Sequence, residues 1–327
     1  MKTLKKYCVD SLAYMAQGLF ATLIVGSILN QVGVLINDSV ITPFLCEAVF
    51  PAAKAMTAPV ISMAVAYGLG SDALVIFASG VAGYIGGDPV SALLAGITAN
   101  IFGMLLSKKT KLDILITPII TVVSAGFVAA LLGPVISDLM QKLGELIMWA
   151  TQQQPFIMGI VVSVVMGMVL TLPISSAALA YMLGLSGLAA GAATVGCCCQ
   201  MVGFAVMSFK VNGFGGLLAQ GLGTSMLQVP NIMKKPAIWL PTIISSAVLG
   251  PISTMVFKMT NLPYGAGMGT SGLVGQFGAF EAMGATPTVF VQVLLMHFIL
   301  PAALTLFFSS AMKKASLFSD GDLKLDI

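Results

Sequence analysis

Seven side chains in this sequence could do chemistry on a small polar molecule. The segment Gly265-Ala-Gly-Met-Gly-Thr-Ser-Gly-Leu-Val-Gly-Gln-Phe-Gly278 gathers Thr270, Ser271 and Gln276 among six glycines. Hydroxyls and a primary amide exchange hydrogen bonds readily with a polyol, and glycine lets backbone come close to a ligand. Glu281 stands at the mouth of the next apolar run and His297 lies inside it. Ionisable groups in membrane segments are functional candidates. Asp88 and Asn212 complete the set. Each precedes a Leu-Leu-Ala triplet by five residues, at a Gly- or Pro-rich interruption of apolar sequence. Each feature also has a plainer reading. Asp and Asn cap helices, glycine-rich stretches pack helices closely, and a lone His often bonds one helix to another. Both readings stay open at this point.

Other chemistries are excluded more firmly. Gly267-x-Gly269-x-x-Gly272 has the spacing of a dinucleotide fingerprint, but no strand precedes it and no acidic residue follows about 20 positions on. Paired carboxylates, a Ser-His-Asp set, a P-loop and metal-ligand spacing are missing. Cys197, Cys198 and Cys199 are consecutive, so on a helix they point about 100° apart and cannot converge on one metal. They read as small packing residues. No catalytic residue, metal or cofactor is expected. The chain has no arginine, hence no bidentate phosphate clamp, which argues against a nucleotide-hydrolysing pump. A porter or pore remains.

The elements that must position these groups are membrane helices. Of 327 residues, 58% are apolar and 8% charged, with a mean hydropathy of +1.02. Soluble domains carry about 25% charge. The fold class is therefore all-α, polytopic, with about ten spans of roughly 20 residues. They fall near 12–36, 43–69, 71–87, 90–106, 112–136, 155–183, 185–209, 213–231, 236–257 and 286–311. The first is read as a retained anchor. Residues 138–150 suit an amphipathic helix in the outer interface or an extracellular loop, and the residues after Met312 read as a tail. With both termini cytoplasmic, eleven of fifteen lysines lie on that side, as the positive-inside tendency requires. The net charge of +3 is carried by loop lysines and does not point to nucleic acid.

The chain also resembles itself. Thr57–Gly70 aligns without gaps on Thr171–Gly184, with eight of fourteen positions identical. Leu93-Leu94-Ala95 pairs with Leu217-Leu218-Ala219, and Lys108-Lys109 with Lys234-Lys235. The reading is a parallel duplication inside one transmembrane domain, 1–325: repeat 1 about 12–111, repeat 2 about 112–235, the last helices with the Gly-rich hairpin at 236–312, and a cytoplasmic tail at 313–327. Breaks at Pro51, Pro59, Pro173, Gly86–Pro89 and Gly213–Gly216 interrupt the spans. Unwound backbone in a bilayer must be buried in protein or line a watery cavity, and paired breaks mark a substrate path. The expectation is one central cavity faced by Gly86–Pro89 and Asn212–Gly216 and closed by a re-entrant hairpin at Gly265–Gly278.

The run Gly267 to Gln276, the Gly86-Gly-Asp-Pro89 break and the ten-span length resemble the IIC membrane components of the bacterial sugar phosphotransferase system, in particular the branch named after the toxin regulator PfoR. The resemblance covers roughly residues 10–312. It implies a homodimer in the bacterial plasma membrane, set in lipid, that binds a sugar or other small polyol and presents it to a cytosolic, phosphorylated IIB-type protein. Such components carry no phosphorylated residue. The chain would be enzymatic only as the membrane part of a protein-Nπ-phosphohistidine–sugar phosphotransferase. It departs from better-known members in lacking their Glu-containing sugar motif and any fused IIA or IIB domain. Two other functions stay open: an ion-coupled secondary transporter of a small polar solute, with Asp88, Glu281 or His297 carrying protons, and a membrane regulator that binds a ligand without transport. The parallel repeat makes a direct prediction. Cysteines introduced at Lys108 and Lys234 will be labelled from the same side of the membrane, and labelling from opposite sides would overturn it.

Overall fold

The computed structural model describes Tyr7 and residues 10–36, 38–109, 111–172 and 175–325. Lys2, Lys5, Lys6 and Pro173 lie outside them. The described residues form helices joined by turns and short extended stretches, with one isolated β-bridge between Gly187 and Asn261 and no strand. In chain order the elements used below are α1 (Ser11–Leu19), α2 (Thr57–Gly68), α3 (Ala73–Gly86), α4 (Pro89–Leu106), α5 (Asp113–Gln153), α6 (Pro155–Thr171), α7 (Ser176–Met182), α8 (Gly187–Met207), α9 (Phe209–Leu218), α10 (Leu240–Pro251), α11 (Val274–Met283) and α12 (Leu300–Lys314). Among the described residues, six helical stretches are long and apolar enough to span a bilayer. The count is seven when Ile41–Ala55 and Thr57–Gly68, bent by 48°, form one span. Two further apolar helices, α3 and α6, are shorter. The protein is a multi-pass, all-helical membrane protein.

Three stretches depart from the expected pattern. Residues 213–231 do not form one span. The chain turns at Gly213 (φ 60°, ψ −158°), passes through a π-turn at Ala219–Gly223, becomes extended at Thr224 and resumes as Ser225–Gln228 and Val229–Lys234. The glycines at 213, 221 and 223, together with Pro230, explain the break. Residues 138–150 are neither a separate interfacial helix nor a loop, because α5 runs unbroken for 41 residues through Pro118 and Pro134. The segment after Met312 is more than a tail. Phe318, Leu323 and Leu325 are buried, the first two in a cluster with Phe204, Met207, Ile232 and Ile238.

The chain divides at Lys142/Leu143 into two compact units. In the first, α3, α4 and α5 meet through Val75, Ala82, Ala95, Ala99, Ala125 and Ala129, small side chains that let helices approach closely. In the second, α8 is the hub, packed by α6, α10 and α12. Its sequence is apolar and small on every side, the pattern of a fully enclosed helix. Cys197, Cys198 and Cys199 are completely buried there, as packing residues would be.

The matched segments end alike. Gly70 (φ 81°) donates to Tyr67 O and Ser71 to Ala66 O; Gly184 (φ 59°) donates to Tyr181 O and Leu185 to Ala180 O. Both are left-handed helix stops in which two otherwise orphan carbonyls are satisfied. A Cβ added to either glycine would have no neighbour within 4 Å, so a methyl there meets only backbone strain. Gly70→Ala and Gly184→Ala should each destabilise by about 1 kcal/mol and act additively in thermal unfolding in detergent. Gly215→Ala, at an open position without positive φ, serves as the neutral control.

Candidate functional site

One stripe of α8 carries the Gly-rich hairpin. Gly191, Thr194, Cys198, Met201 and Ala205 recur at helical spacing and so share a face. The hairpin consists of Pro263–Ala266, a turn, a short 3-10 turn Ser271–Leu273 and α11. Its backbone lies directly on that stripe. A Cβ at Gly269 (φ 54°) would sit 2.8 Å from the Cys197 carbonyl carbon; at Gly267 it would strike the Ser176 backbone, and at Gly275 the Gly269 backbone. Ser176 fixes the first leg by donating to Gly267 O at 2.6 Å.

Asn261 clamps the two legs together. It is buried; its Nδ2 donates to Thr194 Oγ1 and to Gly275 O, each at 2.8 Å, and its Oδ1 accepts from Leu262 N at 2.8 Å. Sequence reasoning passed it over. The available signal was a lone amide between Lys258 and Pro263, immediately before the glycines, and it resembled an ordinary turn residue.

The tip rests on the π-turn that follows α9. Thr270, buried, donates its hydroxyl to Gly221 O, and Ser271 donates to Gly223 O at 3.0 Å. Gly272 (φ 53°) and Leu273 (φ 60°) are both left-handed. For leucine that conformation costs roughly 1–2 kcal/mol.

Gln276 and His297 meet in the interior. Both are buried, with Gln276 Nε2 3.0 Å from His297 Nδ1 and 3.7 Å from Cys198 Sγ. Among the described residues, Gln276 Oε1 and His297 Nε2 have no hydrogen-bond partner. Gln276 also lines a cavity of about 180 Å³ whose other walls include Leu273, Phe277, Phe280, Phe290 and Phe298. The Phe280 and Phe290 rings lie stacked, 6.3 Å apart. A second cavity, about 190 Å³, lies between Val202, Ala205, Leu218, Gly221 and the same Phe298.

Of the remaining candidates, Glu281 lies on α11 of the hairpin, and Asp88 and Asn212 lie outside it. Glu281 is half-buried and accepts from the Tyr264 hydroxyl at 2.5 Å. Asp88 caps α4, accepting from Val90 N at 2.9 Å and Ser91 N at 3.2 Å as well as from the Ser91 hydroxyl. Asn212 holds the C-terminal segment, donating to Leu323 O and accepting from Leu325 N, both at 2.9 Å. The structure thus brings Thr270, Ser271, Gln276, Glu281 and His297 onto one hairpin and its immediate neighbours. Asp88 belongs to the other compact unit.

A family model for the phosphotransferase system EIIC component matches residues 9–325, which takes in both units, the hairpin and the docked C-terminal segment. The chain belongs to the phosphotransferase system EIIC family. Membership gives it the family's general role: a multi-pass membrane permease for a sugar, served by a phosphorylated IIB partner. The match is to the family as a whole and does not separate the PfoR branch within it. No curated protein matches the chain in sequence.

In this EIIC protein the hairpin's geometry depends on Asn261, whose amide serves three partners in a dry setting. Replacing it with leucine removes its bonds to the Gly275 carbonyl and to Leu262 N, while Thr194 keeps its bond to Ala190 O, at about 1–3 kcal/mol for each group left unpaired. Asn261→Leu should lower the unfolding midpoint clearly. Asp88→Ala should cost only about 1 kcal/mol, the worth of a cap, and Asp88→Asn, which still caps, should cost less. A full-sized loss in Asp88→Asn would show that its charge does something beyond capping.

Proposed function

We propose that this chain binds a neutral sugar or other small polyol at the Gly265–Gly278 hairpin and presents it to a cytosolic, phosphorylated IIB protein. The observation that carries the reading is the buried Gln276–His297 pair. With the Gln276 amide donating to Nδ1, the neutral imidazole carries its proton on Nε2. The pair then leaves one acceptor, Gln276 Oε1, and one donor, His297 Nε2–H. A sugar hydroxyl plays both roles. Buried polar groups in native proteins nearly always have partners, and exceptions call for an explanation such as a ligand.

Three further features support the reading. Thr270 and Ser271 each donate once to a backbone carbonyl and keep oxygen lone pairs able to accept from a ligand hydroxyl. The left-handed Leu273 is strain of the kind that accumulates at ligand sites. The aromatic wall beside Gln276 suits the apolar face of a sugar ring. Glu281, oriented by Tyr264, would set the edge of the site. Asn212 enters this reading as a positioning residue. The phosphoryl group comes from the IIB partner, since no residue here is proposed to carry it. The permease would act as a homodimer with both termini cytoplasmic.

Purified protein titrated against a sugar panel tests the site. Gln276→Ala and His297→Ala should each weaken binding by about tenfold or more, roughly 1.4 kcal/mol. Wild-type affinity in both variants, with folding intact, would overturn the assignment. Accumulation of sugar phosphate in vesicles supplied with a phosphohistidine relay separates a working permease from a chain that only binds.

A further inference from the structure

The C-terminal segment Phe318–Leu325 forms a strap held by side chains that address its backbone. Leu323 O accepts from Asn212 Nδ2 at 2.9 Å and from Gln228 Nε2 at 3.1 Å; Lys324 O accepts from Asn231 Nδ2 at 2.8 Å; Leu325 N donates to Asn212 Oδ1 at 2.9 Å. Three apolar anchors, Phe318, Leu323 and Leu325, are buried, while Leu317 between α12 and the strap is 45% exposed. Lys235 pairs with Asp322 at 3.3 Å and Lys210 with Asp320 at 3.9 Å; Lys313 also holds Asp320. The Lys313 ammonium on Asp320, and the Ser319 backbone N–H with Lys235 on Asp322, keep both carboxyls below their ordinary 3.8. Their pairing is therefore fully present above that value and is lost only as pH falls through the depressed values. The chain turns back onto this face through Ser316, a left-handed non-glycine residue (φ 57°).

The same amides lead to the hairpin. Gln228 Nε2, which holds Leu323 O, also donates to Gln220 Oε1 at 2.9 Å. Gln220 is buried and donates in turn to Ser208 Oγ at 2.9 Å and Gly216 O at 3.0 Å. It belongs to the Ala219–Gly223 turn whose carbonyls receive Thr270 and Ser271. Hydrogen bonds through Gln228 and Gln220, and then the backbone of the Ala219–Gly223 turn, thus join the strap to the hairpin tip.

We propose that the face built by α9, Ser225–Gln228 and Val229–Lys234 is a peptide-docking site whose reversible occupant is this chain's own Phe318–Leu325, and that its occupancy sets the order of the Ala219–Gly223 turn on which the hairpin tip rests. When the strap leaves, Asn212 loses both of its strap bonds, and Gln228 and Asn231 lose one each. Phe204, Ile232 and Ile238 lose part of their cover. The turn it steadies contains Gly221 and Gly223 and follows the Gly213 break, and apart from the Gln220 side-chain bonds its own sequence gives it little rigidity. An effect of the strap on sugar affinity rests on the hairpin being the sugar site; the docking itself does not.

A chain ending at Leu317, given the peptide Phe-Ser-Asp-Gly-Asp-Leu-Lys-Leu in trans, tests the proposal without any sugar. The peptide should bind one to one. Leu323→Ala in the peptide, or Asn212→Ala in the chain, should weaken it by about tenfold or more. Backbone exchange at 219–223 and 270–273 should speed at least about tenfold on truncation and slow again when the peptide is added. A folded truncated chain that binds no peptide, or exchange at 219–223 that ignores the strap, would overturn the proposal. Should truncation prevent folding, full-length Asn212→Ala and Leu323→Ala decide the question instead. Faster exchange at 318–325 and 219–223 with α8 still protected supports it, and wild-type exchange in both sinks it. Because these readouts involve no ligand, they can fail while the Gln276 and His297 binding losses stand, and the reverse.

Discussion

The close approach of irregular backbone to one face of α8 is the constraint on which the second unit depends. The hairpin leaves helix in the turn between its legs, so the free polar groups there must find a partner inside the protein, and lipid supplies none. Glycine makes that approach possible. At Gly269 the missing side chain and the left-handed φ act together, since a methyl there would meet the Cys197 backbone and the conformation would be strained as well. The stripe Gly191, Thr194, Cys198, Met201 and Ala205 offers the complementary surface: small or soft groups with one hydroxyl at the point where Asn261 needs an acceptor. Consecutive cysteines make sense in this light. A small polarizable side chain fills space without demanding a hydrogen bond.

Polar groups in this setting are few and each is costly unless met. Asn261 is met three times. The Thr270 and Ser271 hydroxyls are met by carbonyls of the turn beneath them. Gln276 and His297 satisfy one another on one side only. Dry packing has no use for the remaining amide oxygen and ring nitrogen, whereas a ligand rich in hydroxyls does.

Much of this was legible in the sequence, and the failures have physical causes. Hydropathy located the apolar stretches, and the shared Ala-Tyr-x-Leu-Gly ending of the matched segments pointed to the helix stops at Gly70 and Gly184. Hydropathy does not show where a helix ends, however. Pro134 is tolerated inside α5, so the expected boundary near residue 137 is absent. Conversely, Leu217 and Leu218 are apolar enough for a span, yet glycines at 213, 221 and 223 stop one from forming. The strap was invisible for another reason. Its carbonyls are bound by Asn212, Gln228 and Asn231, and backbone recognition leaves no motif in the sequence being recognised.

Asp88 and Asn212 show how similar sequence settings take on different work. Each follows apolar sequence at a break and precedes the same Leu-Leu-Ala triplet. Asp88 is followed by proline, which is preorganised for the first turn of a helix, and its carboxylate takes the free N–H groups of that turn. A continuous α4 results. Asn212 is followed by Gly213, whose φ of 60° and ψ of −158° interrupt the helix, and an amide can donate where a carboxylate cannot. That second capability is what lets Asn212 grip both a carbonyl and an N–H of one segment. An aspartate at position 212 would repel Leu323 O while still accepting from Leu325 N, which would leave the strap held on one side only. The change from acid to amide, and from proline to glycine beside it, is therefore enough to turn a helix start into a clasp.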